Sequence, residues 1–147
     1  MSDTYLLSLA TRPGFATGDD PESLPSAPGA YLLLARLAMP LSLRIRTLPP
    51  MVLAAGRYVY AGNARGPGGI RARVGRHLRR GKRLHWHIDH LTEAAAGLQA
   101  IAVPGGDECA LLGALLAAGD CEVAVAGFGS TDCRACPGHL LRLHGRA

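Results

Sequence analysis

Within residues 56–83 the apolar side chains shift from every second position to every fourth, and that change dictates a strand, a turn and a helix in succession. Tyr58 and Tyr60 flank Val59, so the two phenols share one face of a strand. The glycine-rich run 61–69 predicts a turn that ends it. From there Ile70, Val74 and Leu78 recur at four-residue intervals and form a helical stripe that faces the core. Arg73, His77 and Arg80 make a row along the border of that stripe, and Arg71, Arg76 and Arg79 lie farther round.

Between Arg57 and Arg83 stand nine of the chain's sixteen basic residues and no acidic one. A solvated helix normally mixes its signs, so an acid-free block beside two tyrosines points to a polyanion: nucleic acid first, an anionic membrane surface second. Planar guanidinium suits phosphate in two-pronged contact. The formal charge of +5 and the pI near 9.4 agree with that choice. Arg65, Arg71, Arg76, Arg79, Arg80 and Arg83 are expected to position backbone phosphates, the residues themselves leaving DNA and RNA both open; nothing in the pattern reads bases.

No apolar run approaches ~20 residues, and the N-terminus has no charged region followed by an apolar stretch. A soluble cytoplasmic protein with no membrane contact is expected. Four cysteines without an export signal read as reduced thiols or metal ligands.

At 147 residues the chain has the length of one domain. Residues 1–28 are crowded with proline and glycine and read as an irregular extension, with room for a short strand at 5–9 and a solvated acidic loop at Asp19, Asp20 and Glu22. The apolar run 29–37 predicts a strand, 41–45 a further one, and 47–56 an irregular connection into the Tyr58 strand. In such a meander Tyr31 and Tyr60 approach across an antiparallel pair, which gathers two phenols at one end of the sheet. A second helix is expected over 85–96, where His85, His87 and His90 are read as packing and hydrogen-bonding groups in preference to metal ligands.

After a strand at 98–103, the turn 104–107 is expected to cap a helix over 108–118. Leu111, Leu112 and Leu115 surround Glu108 on the helical wheel, so its carboxylate falls in the middle of the apolar face and needs a partner. First-turn amides, a metal ion or an arginine could serve, and Arg73 is the leading protein candidate. Residues 121–126 read as the last strand. Cys133, Cys136 and His139 then supply three ligands of the type zinc accepts, with a fourth available from His85, His87 or Cys109; the alternative is two unrelated buried thiols in a loop.

Gly29-Ala30-Tyr31, Tyr60-Ala61-Gly62, Arg73 and His77 four apart, and Glu108 opening a later helix together resemble the GIY-YIG nuclease superfamily. Alanine replaces isoleucine in the middle of both signature triplets. Gly56-Arg57-Tyr58-Val59-Tyr60-Ala61-Gly62-Asn63-Ala64-Arg65-Gly66, Arg73-Val74-Gly75-Arg76-His77-Leu78, His85-Trp86-His87-Ile88-Asp89 and Gly127-Phe128-Gly129-Ser130-Thr131-Asp132-Cys133 are similar to the branch catalogued as domain of unknown function 123, sometimes attached to endonuclease III-like proteins.

The resemblance covers residues 29–143, leaving 144–147 as a tail. It implies an α+β fold, with a small, mainly antiparallel central sheet flanked by helices. It also implies metal-dependent hydrolysis of DNA phosphodiesters in DNA processing or repair, structure-dependent or nonspecific. The residues carried over are Tyr31, Tyr60, Arg73 and Glu108, with Glu108 holding one Mg²⁺ or Mn²⁺, and His77 where several members carry tyrosine or histidine. Asn63 stands where some members have lysine. A noncatalytic nucleic-acid-binding module on the same scaffold is the alternative, and a zinc-organised interaction domain a third.

Overall fold

The computed structural model describes residues 6, 8–129 and 136–144. Its centre is a six-stranded antiparallel sheet in the order β1-β6-β2-β5-β8-β7. The long members are β2 (Gly29–Leu37), β5 (Gly56–Ala64) and β6 (Gly97–Pro104); β1 (Ala16–Gly18), β7 (Cys121–Val123) and β8 (Leu140–Leu143) are short. A separate two-stranded sheet pairs β3 (Leu41–Leu43) with β4 (Met51–Leu53). Three α-helices pack on the sheet, α1 (Gly69–Leu78), α2 (His87–Ala94) and α3 (Glu108–Ala117), and the described residues also hold a helical stretch at 8–10 and a 3₁₀ turn at Pro21–Ser23. The fold class is therefore α+β, as expected.

β2 reads as a continuous apolar run because both of its faces are covered. Tyr31, Leu33, Ala35 and Leu37 point to one layer, where Ile70 and Val74 of α1 and Ile88 and Leu91 of α2 pack. Ala30 and Leu32 point to the other, against Leu111, Leu112 and Leu115 of α3. Ile70 and Val74 have no exposed surface, and each such burial contributes roughly 1.5–3 kcal/mol.

The start of α1 is held by the segment before β2. Ile70 N–H donates to Ala27 O at 3.0 Å and Arg71 N–H to Pro25 O at 2.9 Å, so the first-turn amides are satisfied by neighbouring backbone.

Several expectations are corrected. Residues 8–10 are helical, not part of a strand over 5–9, and residues 5 and 7 lie outside the described residues. The stretch 16–28 is built into the domain: β1 pairs with β6, and Leu24 is buried in the core. β5 continues through Ala64 where a turn was expected, because residues 61–64 pair with β2 across Gly29–Leu32 and the pairing outweighs the weak strand preference of glycine and asparagine. The connection 47–56 contains β4. The helix expected over 85–96 is confined to His87–Ala94. The last strand is β8, inserted between β5 and β7; at four residues it is too short to show a period in sequence.

Candidate active site

The register of β2 against β5 sets Tyr31 opposite Gly62 and Leu33 opposite Tyr60. Tyr31 and Tyr60 are thus diagonal neighbours on one face, at the end of the sheet anticipated from sequence. A Cβ at Gly62 would overlap the Tyr31 ring, so glycine there is what allows the phenol to lie across β5. Gly129, at φ +68°, is similarly close beneath Tyr60.

α1 crosses above this pair. His77, with no exposed surface, puts Nε2 2.8 Å from Tyr31 Oη, and its ring centroid lies 6.5 Å from that of Tyr60. Trp86, just before α2, forms a wall: the guanidinium carbons of Arg73 and Arg76 lie 4.5 and 4.2 Å from its ring centroid, within cation–π range. Asp89 locks this wall. Its buried carboxylate takes Arg76 in two-pronged contact at 2.7 and 2.8 Å and accepts the His85 and Trp86 amides at 2.8 Å each. Arg73 remains half-buried, facing the phenols.

α3 packs on the opposite face of the sheet, yet its first residue reaches the same cleft. Glu108 is 7% exposed, and Asp107 caps the helix by accepting the Ala110 amide at 2.9 Å. The cation near Glu108 is Arg65, at 3.7 Å, in place of the expected Arg73. Arg65 is 64% exposed, so this contact is weak. Glu108 Oε2 is buried and has no hydrogen-bond partner among the described residues. A carboxylate at the cleft wall whose Oε2 makes no hydrogen bond and has only the long Arg65 contact suits a hard divalent cation, which takes oxygen ligands and keeps several waters.

Tyr31, Tyr60, Arg73, His77 and Glu108 therefore line one cleft of about 460 Å³, with Asn63 and Arg65 at its edge. His85, Trp86, His87 and His139 also line its walls. Burial raises the Tyr31 hydroxyl well above its ordinary value; the Tyr60 phenol adds to the rise and Arg73 opposes it. Burial likewise pushes Tyr60 up to about 12, again against the pull of Arg73. Burial lowers His77 to about 3, so its imidazole is neutral at physiological pH.

His87, which also lines the cleft, is tied into the fold through both ring nitrogens. His87 Nδ1 accepts the Gly129 amide at 2.8 Å, which places its proton on Nε2, 2.8 Å from Thr47 Oγ1.

Of the six arginines expected to contact phosphate, three are engaged within the fold. Arg71 donates to Leu24 O at 2.8 Å, Arg76 pairs with Asp89, and Arg80 donates to Thr92 O. Arg65, Arg79 and Arg83 are exposed, as are Arg71 and Arg80, and Arg65 has only long contacts to Asp107 at 3.8 Å and Glu108 at 3.7 Å. Sequence reasoning missed the clamp on Arg76; its signal is an acidic residue three positions after Trp86 at a helix start.

The expected thiol motif is described in part, and Cys109, one of the three residues expected to offer a fourth ligand, joins it. Cys133 lies outside the described residues, while Cys136 and His139 meet Cys109, the second residue of α3. No helix among the described residues is long and apolar enough to cross a membrane.

Residues 30–147 match the model of the family described as Domain of unknown function DUF123, and the chain belongs to that family. Comparison with curated proteins and with solved structures finds no match.

Proposed function

We propose that the cleft hydrolyses phosphodiester bonds of DNA as a GIY-YIG-type endonuclease dependent on Mg²⁺ or Mn²⁺, acting in DNA processing or repair. The observation that carries the reading is the meeting of Tyr31, Tyr60, Arg73, His77 and Glu108 in one cleft, although Glu108 arrives on a helix from the far side of the sheet.

Arg73, held against Trp86, pairs with the nonbridging oxygens of the phosphate and stabilises charge that develops there. Glu108 would hold the divalent cation, which would supply Lewis-acid stabilisation of the phosphate and a positive charge beside the phenols.

Tyr60 is the proton acceptor for the attacking water. At about 12 its hydroxyl is protonated in the protein alone, so it serves only when cationic neighbours lower it. Tyr31 orients phosphate or water, and neutral His77 fixes the Tyr31 hydroxyl through the 2.8 Å hydrogen bond. Exposed Arg65, Arg79 and Arg83 contact backbone phosphates beyond the scissile bond, which gives binding without base readout.

The test is cleavage of labelled single-stranded, duplex and branched DNA with Mg²⁺, Mn²⁺ or chelator. Metal-dependent cutting that disappears in Arg73→Ala supports the proposal. Salt-sensitive binding with no cutting of any substrate would reduce the domain to a binding module.

A further inference from the structure

A second cluster of ligating side chains lies beside the cleft, and the phosphodiester chemistry does not use it. Cys109 is the second residue of α3, whereas Cys136 and His139 belong to the approach to β8. The sheet brings them together: Leu140 pairs with Tyr60 on β5, and α3 packs across the other face of the same strand. The ligand atoms of all three residues lie within 4.8 Å of one another.

We infer that Cys109, Cys136 and His139 form a binding site for a thiophilic divalent cation, zinc foremost, distinct from the oxygen site at Glu108. Zinc takes sulfur at about 2.3 Å and imidazole nitrogen at about 2.0–2.1 Å. Tetrahedral edges built from those bonds are roughly 3.5–3.8 Å, so small side-chain adjustments convert the observed cluster into a coordination sphere.

Cys109 Sγ and Cys136 Sγ are 2.8 Å apart, well outside the ~2.05 Å of a disulfide. Separately, His139 is 4% exposed, and its Nε2 is buried with no hydrogen-bond partner among the described residues. Its backbone is fixed on both sides, the N–H donating to Phe128 O at 2.7 Å and the C=O accepting the Ala61 amide at 3.0 Å. A buried imidazole that keeps an unpartnered ring nitrogen, grouped with two thiols, offers the donor softness that selects zinc over Mg²⁺ or Mn²⁺. The three leave a fourth position to water or to a further ligand.

Cys109 directly follows Glu108, and His139 itself lines the cleft. The ion ties the first turn of α3 to the strand end beside Tyr60 and so fixes where the Glu108 carboxylate sits. The binding claim stands without the hydrolytic reading; only this consequence rests on it.

The experiment is metal analysis of the full chain, purified under reducing conditions with neither zinc nor chelator added, followed by zinc-edge X-ray absorption. One zinc per chain is expected, with sulfur scatterers at about 2.3 Å and an imidazole shell. Cys109→Ser, Cys136→Ser and His139→Ala should each lose the ion, whereas Glu108→Gln retains it, so zinc binding and cleavage can fail separately. If a variant does not fold, the absorption spectrum of the parent decides the matter. A parent chain that stays zinc-free after reduction and reconstitution, or a zinc shell of oxygen and nitrogen alone, would overturn the inference.

Discussion

Asp89→Asn tests how the wall of the cleft is held. The Asp89 carboxylate is fully buried and is approached by four N–H donors, two from Arg76 and one each from the His85 and Trp86 amides. Burial alone would raise its pKa, but the Arg76 hydrogen bonds and the two amides outweigh burial and hold it at about 2, against an ordinary 3.8. That difference corresponds to about 2 kcal/mol of folding stability at neutral pH. Removing one partner of a fully buried pair costs roughly 3–5 kcal/mol. Here Arg76 is 23% exposed and regains some hydration, so the expected loss is about 2–3 kcal/mol, or roughly 5–10 °C in Tm for a chain of this size.

Because the folded-state pKa is depressed, the contribution is present above about 4 and fades as pH falls toward 2. The gap between parent and variant should close over the same window. The assay is urea unfolding of the parent, Asp89→Asn, Arg76→Gln and the double variant. A coupling energy above about 1 kcal/mol is expected from the cycle. A single-variant loss below about 0.5 kcal/mol at pH 7, or additive effects, would refute the clamp.

Gly62→Ala places a methyl group against the Tyr31 ring. It should lower stability by about 1–3 kcal/mol and lower cleavage further than stability accounts for, measured on folded protein. His77 is expected to stay neutral from pH 8 to 5, with NMR ring shifts flat over that range, because burial has lowered it to about 3. Its depressed folded-state pKa means that stability falls below about pH 6.5, by about 1 kcal/mol per pH unit, while the unfolded chain takes up the proton; a titration midpoint near 6.5 in the folded protein would contradict the buried Tyr31 pair. Replacing Arg79 and Arg83 together by alanine should reduce the log–log salt slope of DNA binding by about 2, while Arg71→Ala leaves it nearly unchanged. Equal effects would mean that the internal contacts of Arg71 do not withdraw it from phosphate.

Periodicity made the centre of the fold legible. The Ile70, Val74, Leu78 stripe and the alternating phenols of β5 located α1 and one face of the sheet, and the wheel position of Glu108 announced a buried carboxylate. What sequence hid were contacts set by tertiary pairing. Residues 61–64 carry small side chains that favour turns, yet they extend β5 because β2 lies alongside. That extension carries Arg65 to the start of α3, which is why Arg65 stands where Arg73 was expected beside Glu108. The Arg76 clamp joins two helices through a helix-start carboxylate, and a basic run on α1 gives no sign of which arginine will be neutralised. Short β4 and β8 show too few residues for a period, and pairing alone defines them.

The central claim is that Glu108 acts in the same cleft as the phenols, and Glu108→Gln tests it most directly because the amide keeps the shape and removes the charge. DNA affinity in chelator should stay within about threefold of the parent, while cleavage in saturating Mg²⁺ or Mn²⁺ falls by a factor of about 10² or more. A variant that cuts at the parental rate with either ion would contradict the claim.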